Sequence, residues 1–187
     1  AAGAHTITGG TGGLGLMLGR WLASSGATAI VLASRGGVRS AAGPAYEALK
    51  KLRGCRVGVE GCDSADAIDL YRLVTRDVAA VPTRLRSVWH VAGVLADGML
   101  PKQAAPGLVK VCGAKVHGAW HLHALSGTAP LMASAYFSSI AALVGAQGQA
   151  NYAAANASLD ALAQARRLTG REAVDAFEIY TALERRL

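Results

Sequence analysis

Ser139 and Tyr152, thirteen residues apart, are the side chains of this 187-residue chain best suited to chemistry at a carbonyl. A phenol beside a carbonyl oxygen can protonate it as hydride reaches the carbon, and a serine hydroxyl can orient the same oxygen. Ser138 competes with Ser139, and either could simply cap backbone at a strand end; the spacing to Tyr152 favours Ser139. The phenolate left behind needs a cation. A lysine about 4 Å away contributes about 1 kcal/mol in water and about 4 kcal/mol at an effective dielectric of about 20, so it serves only in a partly desolvated cleft. One helical turn after the tyrosine stands Asn156, not a lysine. Lys115 shares a helical face with Leu108, Val111, Cys112, Ala119 and Leu122, which leaves it either snorkelling at the edge of an apolar stripe or buried for a purpose.

A hydride donor has its own signature upstream. Thr8-Gly9-Gly10-Thr11-Gly12-Gly13-Leu14-Gly15 follows an apolar run and opens an amphipathic helix. In that context the glycines let backbone approach a pyrophosphate, and the N–H groups of the helix start point at it. Thr8, Gly9, Thr11, Gly12, Gly13, Leu14 and Gly15 are the expected contacts. At the end of the second strand, where an acidic residue would hold the ribose hydroxyls of NAD, the chain has Ser34-Arg35. A guanidinium there suits a 2′-phosphate and points to NADPH, the bland alternative being an exposed arginine beside Gly36-Gly37. Asp63 can accept from the adenine amino group or cap a helix beginning at Ala65.

These residues need a scaffold that brings strand ends together, and the apolar pattern supplies one. Strands are predicted at Ala4–Thr8, Thr28–Ala33, Arg56–Glu60, Ser87–Val91 and Leu131–Phe137. Helices are predicted on the stripes Leu14, Met17, Leu18, Trp21, Leu22 and Ile68, Tyr71, Val74, Val78, over Pro44–Arg53, through a long stretch ending at Leu125, and over Tyr152–Leu168. Alternating strands and helices imply right-handed crossovers: an α/β, doubly wound, Rossmann-type parallel sheet with helices on both faces, one domain over residues 1–187.

Bulk properties agree. With 52% hydrophobic residues the chain can bury a sizeable core. A net charge of +7 is spread along the sequence with few aromatics, which argues against nucleic acid and for a solvated basic surface. No apolar stretch reaches membrane-spanning length. Cys55, Cys62 and Cys112 form an odd set without metal spacing, favouring reduced thiols and a cytoplasmic setting, with an organellar one left open. His117 and His121 share a helical face but lack the glutamate of a hydrolytic zinc site, so no metal is expected. The chain opens directly on its first strand and reads as a piece excised from something longer.

At Thr8–Gly15, Ser34-Arg35, Cys62-Asp63, Ala92–Gly98, Lys115–Trp120 and Phe137–Asn156 the chain resembles the catalytic subdomain of a ketoreductase from a modular or multidomain polyketide synthase, the fatty-acid synthase domain being close behind. That family resembles the short-chain dehydrogenases, whose lysine follows the tyrosine by four residues, but exchanges lysine and asparagine in space. The resemblance therefore implies Lys115 as the lysine of the site, Asn156 in the remaining polar role, and Ala92 and Gly93 as further cofactor contacts. It also implies NADPH as cofactor and a β-ketoacyl thioester on an acyl carrier protein as substrate, with neighbouring synthase domains as partners. Leu95-Ala96-Asp97, with Val144 where another class carries tryptophan, implies the B-type, which yields the D-configured β-hydroxyl under the guidance of Asp97. The middle residue departs from the usual Leu-Asp-Asp. After Val174 the family's sixth strand, tryptophan-glycine signature and mobile lid give way to Asp175-Ala176-Phe177-Glu178, so the partner of the fifth strand, the lid and the last strand are expected to be missing or replaced. The structural subdomain that precedes the catalytic one in the family is also expected to be absent. Two other readings stand beside this one: a dinucleotide-binding module without turnover, and an independent short-chain dehydrogenase acting on a free metabolite, against which Asn156 counts.

Overall fold

A computed structural model of the chain describes residues 2–77, 85–125, 131–171 and 173–175. Strands β1 (Ala4–Thr8), β2 (Ala29–Ser34), β3 (Arg56–Gly61), β4 (Leu85–His90), β5 (Ala133–Tyr136) and β6 (Val174–Asp175) form one sheet in the order β3-β2-β1-β4-β5-β6. Every pairing is parallel. The connections reverse direction between β1 and β4, and in such sheets the crevice at the carboxyl ends of those strands is where ligands bind.

The alternation along β2 explains the two covered faces. Ile30 and Leu32 point to one side with Ile7, packed by Leu18 and Leu22 of α1 (Gly13–Ser24) and Leu49 of α2 (Pro44–Lys50). Val31 and Ala33 point to the other with Val88, packed by Leu70 of α3 (Ala67–Arg72) and by Leu122 from the crossover between β4 and β5. That crossover is not one long helix. After β4 the chain runs without regular structure from Val91 to Met99, then forms α4 (Ala105–Cys112), a π-helical turn over Gly113–His117 and α5 (Gly118–Leu125). A short α6 (Ala141–Val144) and the long α7 (Ala150–Leu168) follow β5, and Leu159 and Leu162 of α7 pack with Tyr136 and Ala119.

Two predicted stripes are out of phase. In α1, Leu18 and Leu22 are buried as expected, but Leu14 is 45% and Met17 58% exposed. Gly15, Leu16 and Gly19 complete the buried face instead. Lacking side chains, the two glycines let the helix sit close to the sheet, and a Cβ on Gly19 would already lie 3.1 Å from Leu49. In α3 Leu70 is buried, as is Leu73 just after it, while Ile68 and Tyr71 face solvent, so the apolar pair that meets the sheet is Leu70 and Leu73. The chain widens into a π-helical turn after Arg72; Val78 lies outside the described residues. Asp66, not Asp63, caps α3, accepting from the N–H groups of Ile68 and Asp69.

In the tail, of the two outcomes expected for the partner of β5, missing or replaced, a partner is present: Val174 and Asp175 pair with Ala135 and Tyr136. The pairing is only two residues long, and residues 176–187 lie outside the described ones.

Candidate active site

The glycine turn is shaped by contacts that leave no room for a Cβ. Gly9 has φ +67°, and a Cβ there would come within 2.8 Å of the backbone of Ala92. One on Gly10 would meet the carbonyl oxygen of Ile7 at 2.7 Å, and one on Gly15 the Cα of Gly10 at 2.6 Å. At Gly13 a Cβ would meet no protein atom, yet this residue lines the groove in front of α1. Three of these glycines therefore let the turn close, and the fourth faces outward. Gly12 starts α1 without a side-chain cap, so the first N–H groups of the helix remain available to an anion.

The groove above the strand ends has a volume of about 650 Å³. All the cofactor contacts expected from the sequence line it, from Thr8 and the glycine turn through Ser34, Arg35 and Asp63 to Ala92 and Gly93. An elongated dinucleotide fits this donor set: helix N–H groups for pyrophosphate, a guanidinium and hydroxyls at the end of β2, and a carboxylate after β3. At the β2 end, Ser40 is a residue that the pattern did not single out. Its hydroxyl donates to the carbonyl of Gly37 at 2.8 Å and lies 2.7 Å from the hydroxyl of Ser34 and 3.1 Å from that of Thr11. Asp63 stays on the groove wall, with its carboxylate accepting from the N–H of Ala65 at 3.0 Å.

A second cavity of about 260 Å³ adjoins the groove and shares Leu14, Val91, Gly93 and Val94 with it. Lys115, Ser138 and Tyr152 line it, closed in by Leu95 and Phe137. The open question about Lys115 is resolved by its burial, since the residue is only 3% exposed. Its ammonium donates to the carbonyl of Phe137 at 2.8 Å and lies 5.3 Å from the centre of the Tyr152 ring. Gly93 makes the space, because a Cβ there would be 3.0 Å from Cε of Lys115. Burial lowers the Lys115 pKa to about 8, against a smaller opposing pull from the Asp160 carboxylate. The ammonium is therefore still mostly protonated at neutral pH.

The two serines have different hydrogen-bond roles. Ser138 donates its hydrogen to the carbonyl of Asn156 at 3.3 Å. The Ser139 hydroxyl accepts from the N–H of Ala141 at 3.2 Å and keeps its own hydrogen for another acceptor. Ser138 is the serine on the cavity wall; Ser139, the one favoured by spacing, is not among the wall residues but is the one that retains its donor. Asn156 is fully buried, and its Nδ2 donates to the carbonyl of Tyr152 at 2.7 Å. Its Oδ1 has no hydrogen-bond partner among the described residues. The direct bond of Lys115 goes to Phe137, so any link from Asn156 to Lys115 is indirect.

Another residue missed from the sequence is His90, at the end of β4 and wholly buried. Its Nε2 lies 2.9 Å from the carbonyl of Lys115 and must donate to it, which leaves Nδ1 to accept from Thr8 Oγ1 at 2.7 Å. Burial pushes its pKa down to about 4, so the ring is neutral at working pH. This ring links the start of the glycine turn to the backbone that carries Lys115. A histidine inside an otherwise strand-like run, Ser87–Val91, was the one sign of it in the sequence. Of the helical histidines, His117 lines the groove, whereas His123 lies 2.9 Å from the guanidinium of Arg166; among the described residues no cluster of metal-ligating groups forms.

Comparison with known proteins agrees with this geometry. A family model described as KR domain matches residues 3–178. Among curated proteins, polyketide synthase GfsB of Streptomyces halstedii is 40% identical over 173 residues, covering 92% of this chain and 3% of its own length. The spectinabilin polyketide synthase system protein NorB of Streptomyces orinoci is 43% identical, over 90% of this chain and 8% of its own. The chain thus spans a small part of the relatives it matches. Among solved structures, one of A-type ketoreductases from a modular polyketide synthase has a TM-score of 0.86 at 40% identity, covering 93% of this chain and 37% of that one. The first ketoreductase of the tylosin synthase reaches 0.82 at 39% identity, with the same two coverages. With a family model spanning nearly its whole length and a fold shared with those structures, the chain belongs to the KR domain family of the polyketide synthases.

Proposed function

We propose that this chain is the catalytic part of an NADPH-dependent β-ketoacyl reductase, acting on a thioester borne by an acyl carrier protein within a larger synthase. The observation that carries the reading is the buried Lys115 ammonium 5.3 Å from the Tyr152 ring, in a cavity continuous with a dinucleotide-shaped groove. Bound NADPH would supply the hydride. Tyr152 gives the proton to the carbonyl oxygen, and the Lys115 charge stabilises the phenolate that remains. Ser139, with its hydrogen uncommitted, donates to the same oxygen and orients it. Asn156 holds the backbone of Tyr152, and its unpartnered Oδ1 suits a water that returns the proton.

Cofactor choice rests on Arg35 and the hydroxyls beside it, a donor set suited to a 2′-phosphate. Stereochemistry rests on Asp97 and Val144. Structures similar to this chain include A-type domains, so overall likeness does not decide the class. Asp97 stands in the segment that leads from the cavity wall at Leu95, and position 144 carries an exposed valine where the other class has tryptophan, which supports the B-type and a D-configured alcohol. The test is NADPH consumption with a small β-keto thioester, followed by chiral chromatography of the product. Oxidation of NADPH with the D-alcohol in excess is the expected result. Binding without oxidation, repeated in the chain extended at both ends, would favour a module without turnover, and an L-alcohol would overturn the class.

A further inference from the structure

Asn151, immediately before Tyr152 in the first turn of α7, is only 4% exposed and uses both ends of its amide. Nδ2 donates to the carbonyl of Ala96 at 2.8 Å, and Oδ1 accepts from the N–H of Tyr152 at 2.7 Å. More bonds run beside this one. The N–H of Gly98 donates to the carbonyl of Gly148 at 2.8 Å, and Gln103 Nε2 donates to the carbonyls of Gly98 at 3.0 Å and Gly148 at 3.3 Å. Gln149 Nε2 donates to the Asp97 carboxylate at 3.2 Å. Segment 96–98 is thus clasped to residues 148–151, in a stretch without regular secondary structure of its own.

The placement matters because Leu95, at the root of that segment, is a wall of the cavity that holds Tyr152. A carbonyl receives its proton from a fixed phenol and its hydride from one side. Which face is presented depends on where the walls stand relative to that phenol. We propose that Asn151 is the positioning residue that registers the Leu95–Gly98 wall against Tyr152 and so sets the face of the carbonyl that is reduced. This rests on the reductase reading above. An amide suits the role because it offers a donor to Ala96 and an acceptor to Tyr152 on two separate atoms of one short side chain. Asn151→Asp keeps the acceptor but turns a carboxylate oxygen on the Ala96 carbonyl, and Asn151→Leu keeps the bulk and loses both bonds.

Both variants, and Gln103→Met, which loosens the clasp further from Tyr152, are compared with wild type on a small β-keto thioester with NADPH. The ratio of the two alcohols, kcat, KM and Tm are measured. The expected result is a one-sided ratio in wild type that shifts toward the other alcohol by about tenfold in the Asn151 variants, the scale of one lost buried hydrogen bond. A smaller shift in the same direction is expected for Gln103→Met. An unmoved ratio with a lowered Tm would make Asn151 a structural residue of the helix start and overturn the proposal. If the Asn151 variants do not fold, Gln103→Met decides by the same ratio. A wild type that binds NADPH without consuming it overturns the reductase reading, and the proposal with it, whereas an unmoved one-sided ratio overturns the proposal alone.

Discussion

The groove for the dinucleotide and the cavity at Tyr152 share four wall residues but are built of different material. The groove is mostly backbone: glycines packed against neighbouring main chain, and free N–H groups at the start of α1. The cavity has a largely apolar wall into which Lys115, Ser138 and Tyr152 bring their polar groups, with the buried amides of Asn151 and Asn156 on the helix that carries Tyr152. A backbone site is set by where a Cβ cannot go and is stable as it stands. A buried-polar site carries a desolvation cost that the fold around it must offset, and perturbed groups of this kind cluster at functional sites.

Substitution at two glycines tests the first half of that contrast, with the largest expected effect. Gly9→Val forces a side chain into the backbone of Ala92 at a left-handed φ and should lower Tm sharply and abolish NADPH binding. Gly13→Val meets no protein atom and should leave Tm nearly unchanged, while cofactor binding falls by about tenfold or more as the branch projects into the groove. Equal losses of stability in the two would show that the groove is not divided in this way.

Lys115→Met tests the second half. Turnover should fall by about a hundred- to a thousandfold as the charge beside Tyr152 is removed. Stability should move the other way. The folded pKa of about 8 lies below the ordinary lysine value of 10.5, so burying the ammonium costs about 3 kcal/mol at neutral pH, less whatever its bond to Phe137 returns. Because the folded pKa is the depressed one, that penalty is fully present below pH 8 and fades as pH rises from 8 to 10.5. Tm of the variant should thus exceed wild type at pH 7 and converge with it near pH 10, as thermal melts across that range would record. A variant less stable than wild type at neutral pH would contradict the assigned cost.

The smallest effect is expected at the β2 end of the groove, where side chains supplement backbone. Arg35→Ala should weaken NADPH by about ten- to a hundredfold, the scale of one charge-assisted bond of about 1.5–3 kcal/mol, and leave NADH little changed. Fluorescence titration with both cofactors measures the ratio. An unchanged ratio would move the phosphate contact elsewhere, with Arg39 the next candidate.

The same contrast governs how much was legible in the sequence. Glycines that a turn requires are visible as glycines, so the groove and the alternating fold could be read directly, down to every expected wall residue. Phase was harder where small residues completed the buried face, as beside Met17, and where a second apolar pair, Leu70 and Leu73, turned inward in place of Ile68 and Tyr71. Side chains that act across the fold left less trace. The periodicity of the Lys115 helix could not separate a snorkelling lysine from a buried one, because that depends on Gly93 and Phe137 from other elements. Ser40 and Asn151 left no sign in the sequence, and His90 little, for a related reason: each makes a hydrogen bond to a residue distant in sequence, Ser40 to Thr11, which no local spacing encodes.

The central claim, that Tyr152 is the acid of a reductive site attached to a separately built dinucleotide groove, is tested most directly by Tyr152→Phe with two readouts on one sample. NADPH affinity is measured by fluorescence titration and NADPH oxidation by absorbance with a small β-keto thioester. Removing a single hydroxyl from the cavity, at a residue outside the four it shares with the groove, should leave affinity within about twofold and lower turnover by about a thousandfold or more. Parallel loss of binding and turnover, or turnover that survives the change, would contradict the account.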